Sequence, residues 1–363
     1  MSNHLIFAIA FCVASFVANF YIYKFFLSAI FTRHKKILRV FFFLCFILNV
    51  LFLFLMRSDF LYDDVYLILS LILAFSFFFF LIGIFYSIFS GFIKCNSFNE
   101  GRRKSLKFIF DVGFLLIAAS CFFKGVFNAL RTPPINKITI KANANLKIAL
   151  ITDLHLGKNV HKNFLVKIIQ EINEQNVDCV AIVGDLIDTN IKEIDYLDEL
   201  NSFNAPVFYV TGNHEYYHNA DEIIEQLSKT KLQILQNDSV NFKDVVISGL
   251  NDLRGAKYNK APSFTNIYQK FDSNKYNILL AHQPRIAKEF NLEKFDLILS
   301  GHTHAGQIFP FSILVYLQQG FLYGLYEIGK KTKLYVSSGA GFWGPSVRFL
   351  APSEIAIINL EKE

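Results

Sequence analysis

The chain has 363 residues, enough for two or more domains. Its apolar content of 53%, with 42 Phe, excludes an ordinary soluble protein, and the excess lies before Arg131. The net charge of +6 is modest and collects in short loops between apolar runs, which points to a membrane and away from a nucleic-acid partner. Residues 5–30, 37–56, 65–92 and 112–130 each reach or approach the ~20 residues a spanning helix needs, and none shows a polar stripe. The fourth is the least regular, with Lys124 inside it and Asp111 at its entrance.

Loop charge predicts orientation. Arg33, Lys35, Lys36 and Arg39 fill the first loop; Lys94, Arg102, Arg103, Lys104 and Lys107 outnumber Glu100 in the third. The second carries Arg57 against Asp59, Asp63 and Asp64. The first and third loops therefore belong in the cytoplasm. With all four segments spanning the cytoplasmic membrane, the preferred reading, everything after the fourth lies on its outer face; with the fourth not spanning, it lies in the cytoplasm. The predicted organisation is a transmembrane region over 1–131, a linker over 132–144 opened by Pro133-Pro134, and a globular domain over 145–363.

In the globular part, strands are predicted at 147–152, 177–183, 206–210, 276–281, 295–299, 333–336 and 354–360, and an antiparallel pair over 240–249. Helices are predicted at 164–175, up to Leu200, and at 220–228. Alternating strands and helices make an α/β domain, whose ligands bind at the carboxyl ends of strands. Five of these strand ends carry Asp153-Leu154-His155, Gly184-Asp185, Gly212-Asn213-His214, His282, and Gly301-His302-Thr303-His304. The five cysteines show no Cys-x-x-Cys, so a metal here falls to His, Asp and Asn. Asp153, His155, Asp185, Asn213, His282, His302 and His304 exceed one coordination sphere. They suit two divalent ions (Mn, Zn or Fe) about 3.5–4 Å apart, bridged by a carboxylate. His214 follows a ligand directly and is placed to protonate a leaving alkoxide.

These blocks resemble the calcineurin-like metallophosphoesterase family: Asp-x-His, Gly-Asp-x-x-Asp, Gly-Asn-His-Glu, His, Gly-His-x-His. The stretch from Gly301 to Gln307 and the tail from Gly344 to Phe349 are similar to its bacterial membrane-linked branch and to transmembrane proteins with a metallophosphoesterase domain. The resemblance implies a four-layer α/β/β/α sandwich behind an all-α transmembrane region. It implies that Asp153, His155, Asp185 and His304 hold one metal. Asp185 would bridge to a second, held also by Asn213, His282 and His302, with His214 as the acid. Thr189 stands where the protein phosphatases of the family carry Arg, which argues against phosphoprotein substrates. Asp188 is expected to support the site without ligating, and Arg348 receives no role.

The expected activity is hydrolysis of a phosphate ester or pyrophosphate, with the bilayer as a partner and no nucleic acid. A lipid-linked substrate fits the apolar insert at 308–326, read as a greasy wall beside the metals carrying Phe311, Leu317 and Phe321. Alternatives are a UDP-2,3-diacylglucosamine pyrophosphatase of lipid A synthesis, which needs a cytoplasmic site, and a non-catalytic membrane scaffold.

Overall fold

The computed structural model describes residues 3–56, 61–95, 99–329 and 331–362. Arg57 and Asp59 of the second predicted loop lie outside them. The chain divides into two compact units, Met1–Phe127 with Gly344–Val347, and Asn128–Trp343 with Arg348–Glu363.

In the first unit four helices are long and apolar enough to cross a membrane: Leu5–Ile30, Thr32–Leu55, Asp63–Ile93 and Glu100–Leu130. The fourth starts a full three turns before the predicted segment. Its polar first turns, read as loop, are helical, and an exposed Lys104–Glu100 pair at 2.6 Å lies along them. Few polar groups are buried between the helices, and several of them bond to one another. Asn49 Nδ2 donates to Ser76 Oγ at 3.0 Å, and Ser76 Oγ donates to Asn19 Oδ1 at 3.1 Å. Such bonds join helices where water is absent.

The second unit is built on two six-stranded sheets. The strands of the first are β1 (Ile135–Lys141), β2 (Leu146–Ile151), β3 (Cys179–Val183), β4 (Val207–Val210), β5 (Leu232–Ile234) and β12 (Ile355–Glu361), in the order β1-β12-β2-β3-β4-β5. The second orders β10-β11-β9-β8-β7-β6, from β6 (Asp238–Phe242), β7 (Val245–Gly249), β8 (Tyr276–Leu280), β9 (Leu297–Ser300), β10 (Gly324–Ile328) and β11 (Thr332–Val336). β2, β3, β4 and β5 run parallel, as do β7, β8, β9 and β11. Central strands such as β3 are buried throughout and are uniformly apolar, because both faces are covered.

Alternation along each strand sorts residues between layers. Ile151, Ile182 and Tyr209 face one cluster with Leu165, Ile168, Ile169 and Ile172 of the helix Lys162–Glu174. Leu150, Ala181 and Phe208 face the opposite way and pack against Ile278, Leu280 and Leu299 of the second sheet. Leu279, Ile298 and Leu334 cover the far face with Ile267 and Ile286. The result is the α/β/β/α layering.

Two expectations are corrected. Residues 132–144, read as linker, contain β1, which pairs in parallel with the C-terminal β12. Its Ile-x-Ile alternation is a strand signal obscured by the polar residues between. The helix expected up to Leu200 is two short 3₁₀ turns, Ile191–Glu193 and Leu197–Ser202. The insert at 308–326 is a helix, Phe311–Gln319, followed by the edge strand β10.

Candidate metal centre

The strand ends from both sheets converge. Asp153 and His155 leave β2, Asp185 leaves β3, Asn213 follows β4, His282 follows β8, and His302 and His304 follow β9. Five of them adopt left-handed backbone: Asp153 (φ 57°), His155 (53°), Asp185 (50°), His302 (70°) and His304 (48°). Each such non-glycine residue costs of order 1–3 kcal/mol, and strain of this kind collects at functional sites. The approach is close enough to demand glycine twice. A Cβ on Gly212 would overlap the Asp185 carboxylate, and one on Gly301 would overlap Thr152 and Asp153.

Two groups form. Asp153, His155 and His304 offer ligand atoms within 4.8 Å of one another, and so do Asp185, His282 and His302. His304 Nε2 lies 3.3 Å from Asp153 Oδ1 and 3.0 Å from His155 Nε2. Asp185 Oδ2 lies 3.0 Å from His282 Nε2 and 3.8 Å from His155 Nε2, so it stands between the groups. The backbone N–H of His214 donates to the other oxygen, Asp185 Oδ1, at 2.8 Å.

The donor atoms fit cations. Asn213 Oδ1 is buried without a hydrogen-bond partner, which is costly unless something else satisfies it. Burial pushes His302 down to about 3 and His304 down to about 4, so both are neutral at neutral pH. Burial works to lower His282 too, but Asp185 and Asp153 outweigh it and hold it well above the usual range. A proton and a metal ion therefore compete for His282 Nε2, and loading releases the proton.

His214 sits at the rim. Its Nδ1 is 2.5 Å from Asp188 Oδ1 and its Nε2 is 4.0 Å from Asp185 Oδ2. Burial would lower its pKa, but Asp188 and Asp185 raise it to about 9. Nearby cations would pull it back toward neutrality. Asp188 also faces His155 Nδ1 at 3.2 Å and His218 Nε2 at 3.2 Å, so it steadies three imidazoles from outside the two groups. Thr189 donates to Glu193 at 2.7 Å and takes no place in the cluster.

Two supporting residues escaped sequence reasoning. Glu215, fully buried, accepts from the N–H groups of Asp185 (3.1 Å), Leu186 (2.7 Å), Ile187 (3.1 Å) and Gly212 (2.7 Å). It cross-braces the loops after β3 and β4, and its place directly after Asn213-His214 was the available signal. Arg348, also fully buried, donates to His304 Nδ1 at 3.0 Å and to the carbonyls of Ser338 (2.9 Å) and Gly341 (2.6 Å). It turns the His304 ring so that Nε2 faces Asp153 and His155. An Arg in an irregular tail gives no periodic signal.

Imidazoles, carboxylates and a carboxamide gathered at the mouth of two sheets are a site for cations, and the class this defines is the metal-dependent hydrolases of phosphate esters. The family model for calcineurin-like phosphoesterases matches residues 146–306. An uncharacterised metallophosphoesterase of Campylobacter jejuni is 43% identical over 360 residues, covering 95% of each chain. One from Helicobacter pylori is 42% identical over 293 residues, covering 78% of this chain and 79% of its own. A transmembrane protein with a metallophosphoesterase domain from Danio rerio is 32% identical over 271 residues, covering 68% of this chain and 62% of its own. The chain belongs to the calcineurin-like metallophosphoesterases, and it is a metal-dependent phosphoester hydrolase with helices long and apolar enough to span a membrane ahead of its catalytic domain.

Proposed function

We propose that this protein is a membrane-anchored, two-metal phosphoesterase that acts on a phosphate carried at the membrane surface. The observation that carries it is the pair of adjoining ligand groups, with Asp185 Oδ2 between them. In this reading Asp153, His155, Asp185 and His304 hold one ion, and Asp185, Asn213, His282 and His302 hold the other. When bound, such a pair grips two phosphate oxygens and acidifies the attacking water. Mn, Zn and Fe all suit mixed His, Asp and Asn ligation.

The chain's own residues do the rest. Asp188 orients His155 and His214; His214 delivers the proton to the departing oxygen; Glu215 holds the two loops in register. Residues 1–131 form the anchor and 145–363 the catalytic domain, with β1 added from the connection. Loop charge supports an inner-membrane protein with its site on the outer face. A lipid-linked phosphate is the substrate class we favour. The lipid A alternative requires the opposite orientation and has no residue in its particular support.

The test is elemental analysis of the purified full chain after metal reconstitution. Two equivalents are expected, falling to one or none in a His282→Ala/His302→Ala variant. A wild-type chain that retains one equivalent or none overturns the two-metal reading.

A further inference from the structure

The helix Phe311–Gln319 is inside out for a protein in water. Gln319 is its buried residue, while Phe311, Ile313, Leu314, Tyr316 and Leu317 stand exposed, Leu317 by 72%. No charged residue occurs anywhere from Ile308 to Tyr326. Among the described residues after Leu130, twelve large apolar side chains are exposed, and eight of them lie between Phe309 and Leu325. The patch continues past the helix: Phe309 N–H bonds to the Phe349 carbonyl at 3.1 Å beside exposed Leu350, and Gln307 Nε2 bonds to the carbonyl of exposed Trp343 at 2.8 Å. Soluble surfaces rarely gather so much apolar area, and a patch of this kind marks a membrane or protein contact.

We propose that this helix docks the catalytic domain on the lipid bilayer, lying in the interface with Ile313, Leu314 and Leu317 among the acyl chains. The occupant follows from the chain itself. Four helices apolar enough to span precede the domain, and only Arg131 to Pro134 join the last of them to β1, so a bilayer is always close at hand. An uncharged helix with Phe, Tyr, Leu and Ile outward suits the headgroup–acyl boundary. Phe321, grouped with these residues on sequence, does not belong to the docking face. It packs against the cluster around Leu292 and Phe295, with Lys288 5.7 Å from its ring centre. The inference deepens the membrane-surface reading: His304 is seven residues before Phe311, so the docking face starts on the loop that carries the ligands.

Trp343 is the chain's single tryptophan, so a Trp343→Phe/Leu317→Trp chain reports from the helix alone. The full-length variant is reconstituted in vesicles of phosphatidylcholine or of the same lipid brominated on its acyl chains. Docking predicts that brominated lipid removes about half of the emission or more, while aqueous acrylamide quenches weakly. Adding Ile313→Ser and Leu314→Ser should restore emission in brominated lipid and open the indole to acrylamide. Tyr316→Trp in place of Leu317→Trp supplies a second reporter on the same helix should the first chain fold poorly. Strong acrylamide quenching without bromine quenching means a helix in water and overturns the proposal. Shielding from both quenchers means cover by protein, such as a second copy, and overturns it equally. Bromine quenching that survives the two serines overturns it too. None of these readings depends on catalysis. Failure of the phosphoesterase reading shows separately, as loss of metal and of p-nitrophenyl phosphate hydrolysis in the unaltered chain.

Discussion

At the residue scale, function hangs on a few atoms held in unfavourable backbone. Asp185 is the residue on which both groups depend, since its Oδ2 faces His282 and His155 while Oδ1 is tied to the His214 N–H. Asp185→Asn keeps the shape and removes the charge shared by two cations. Steady-state assays on a soluble aryl phosphate should show less than about a tenth of wild-type turnover, a barrier rise above ~1.4 kcal/mol. Higher residual turnover would mean that another group bridges. His214 is tested by leaving group, because only a poor leaving group needs a proton in the transition state. In His214→Ala, kcat for an alkyl phosphate should fall about 100-fold or more, and kcat for p-nitrophenyl phosphate far less. Equal losses would assign His214 to phosphate binding.

At the element scale, the site is a seam between loops, and Glu215 closes it. Four backbone N–H groups from the turns after β3 and β4 converge on one carboxylate. Glu215→Gln removes the charge and sets an amide NH₂ against donors. The expected loss is about 3 kcal/mol, from hydrogen bonds to a buried charge. In a domain of this size that lowers the melting midpoint by roughly 6–12 °C, measured on the detergent-solubilised full chain. Metal content should fall with it, since the left-handed turn at Asp185 and the extended Gly212 ahead of Asn213 relax together. An unchanged midpoint would show the brace to be dispensable.

At the scale of the whole molecule, the question is which side of the membrane the site occupies. The first and third loops carry the basic residues, and the structure describes a fourth helix long and apolar enough to span, Glu100–Leu130. A C-terminal alkaline phosphatase fusion should therefore be active and the matching green fluorescent protein fusion dark. The reverse result would place the site in the cytoplasm and reopen the lipid A alternative. Much of this was legible beforehand. Membrane helices, parallel strands and the Gly-Asp and Gly-His turns announce themselves, because each rests on local composition or on a run of adjacent residues. β1 was missed since its pairing partner β12 lies over two hundred residues away. The region up to Leu200 was misread because its apolar residues, Ile191, Ile194 and Leu200, bury against the core from 3₁₀ turns instead of one helix.

The sequence by itself determined the class of fold, the order of the central strands along the chain, and the identity of the side chains at their ends. These follow from periodicity, from glycine at tight turns and from the chemistry of His, Asp and Asn. Only the tertiary structure decided that Asp153, His155, Asp185, His282, His302 and His304 come together, that Glu215 and Arg348 brace their loops, and that the insert shows its apolar side to the outside. Convergence depends on how two sheets pack, which no local pattern encodes. Burial of Glu215 and Arg348 is tolerable only because the carbonyl and N–H partners arrive from distant turns. Exposure of Leu314 and Leu317 is a property of what the fold leaves uncovered, and a run of apolar residues reads the same whether it faces a core or a bilayer.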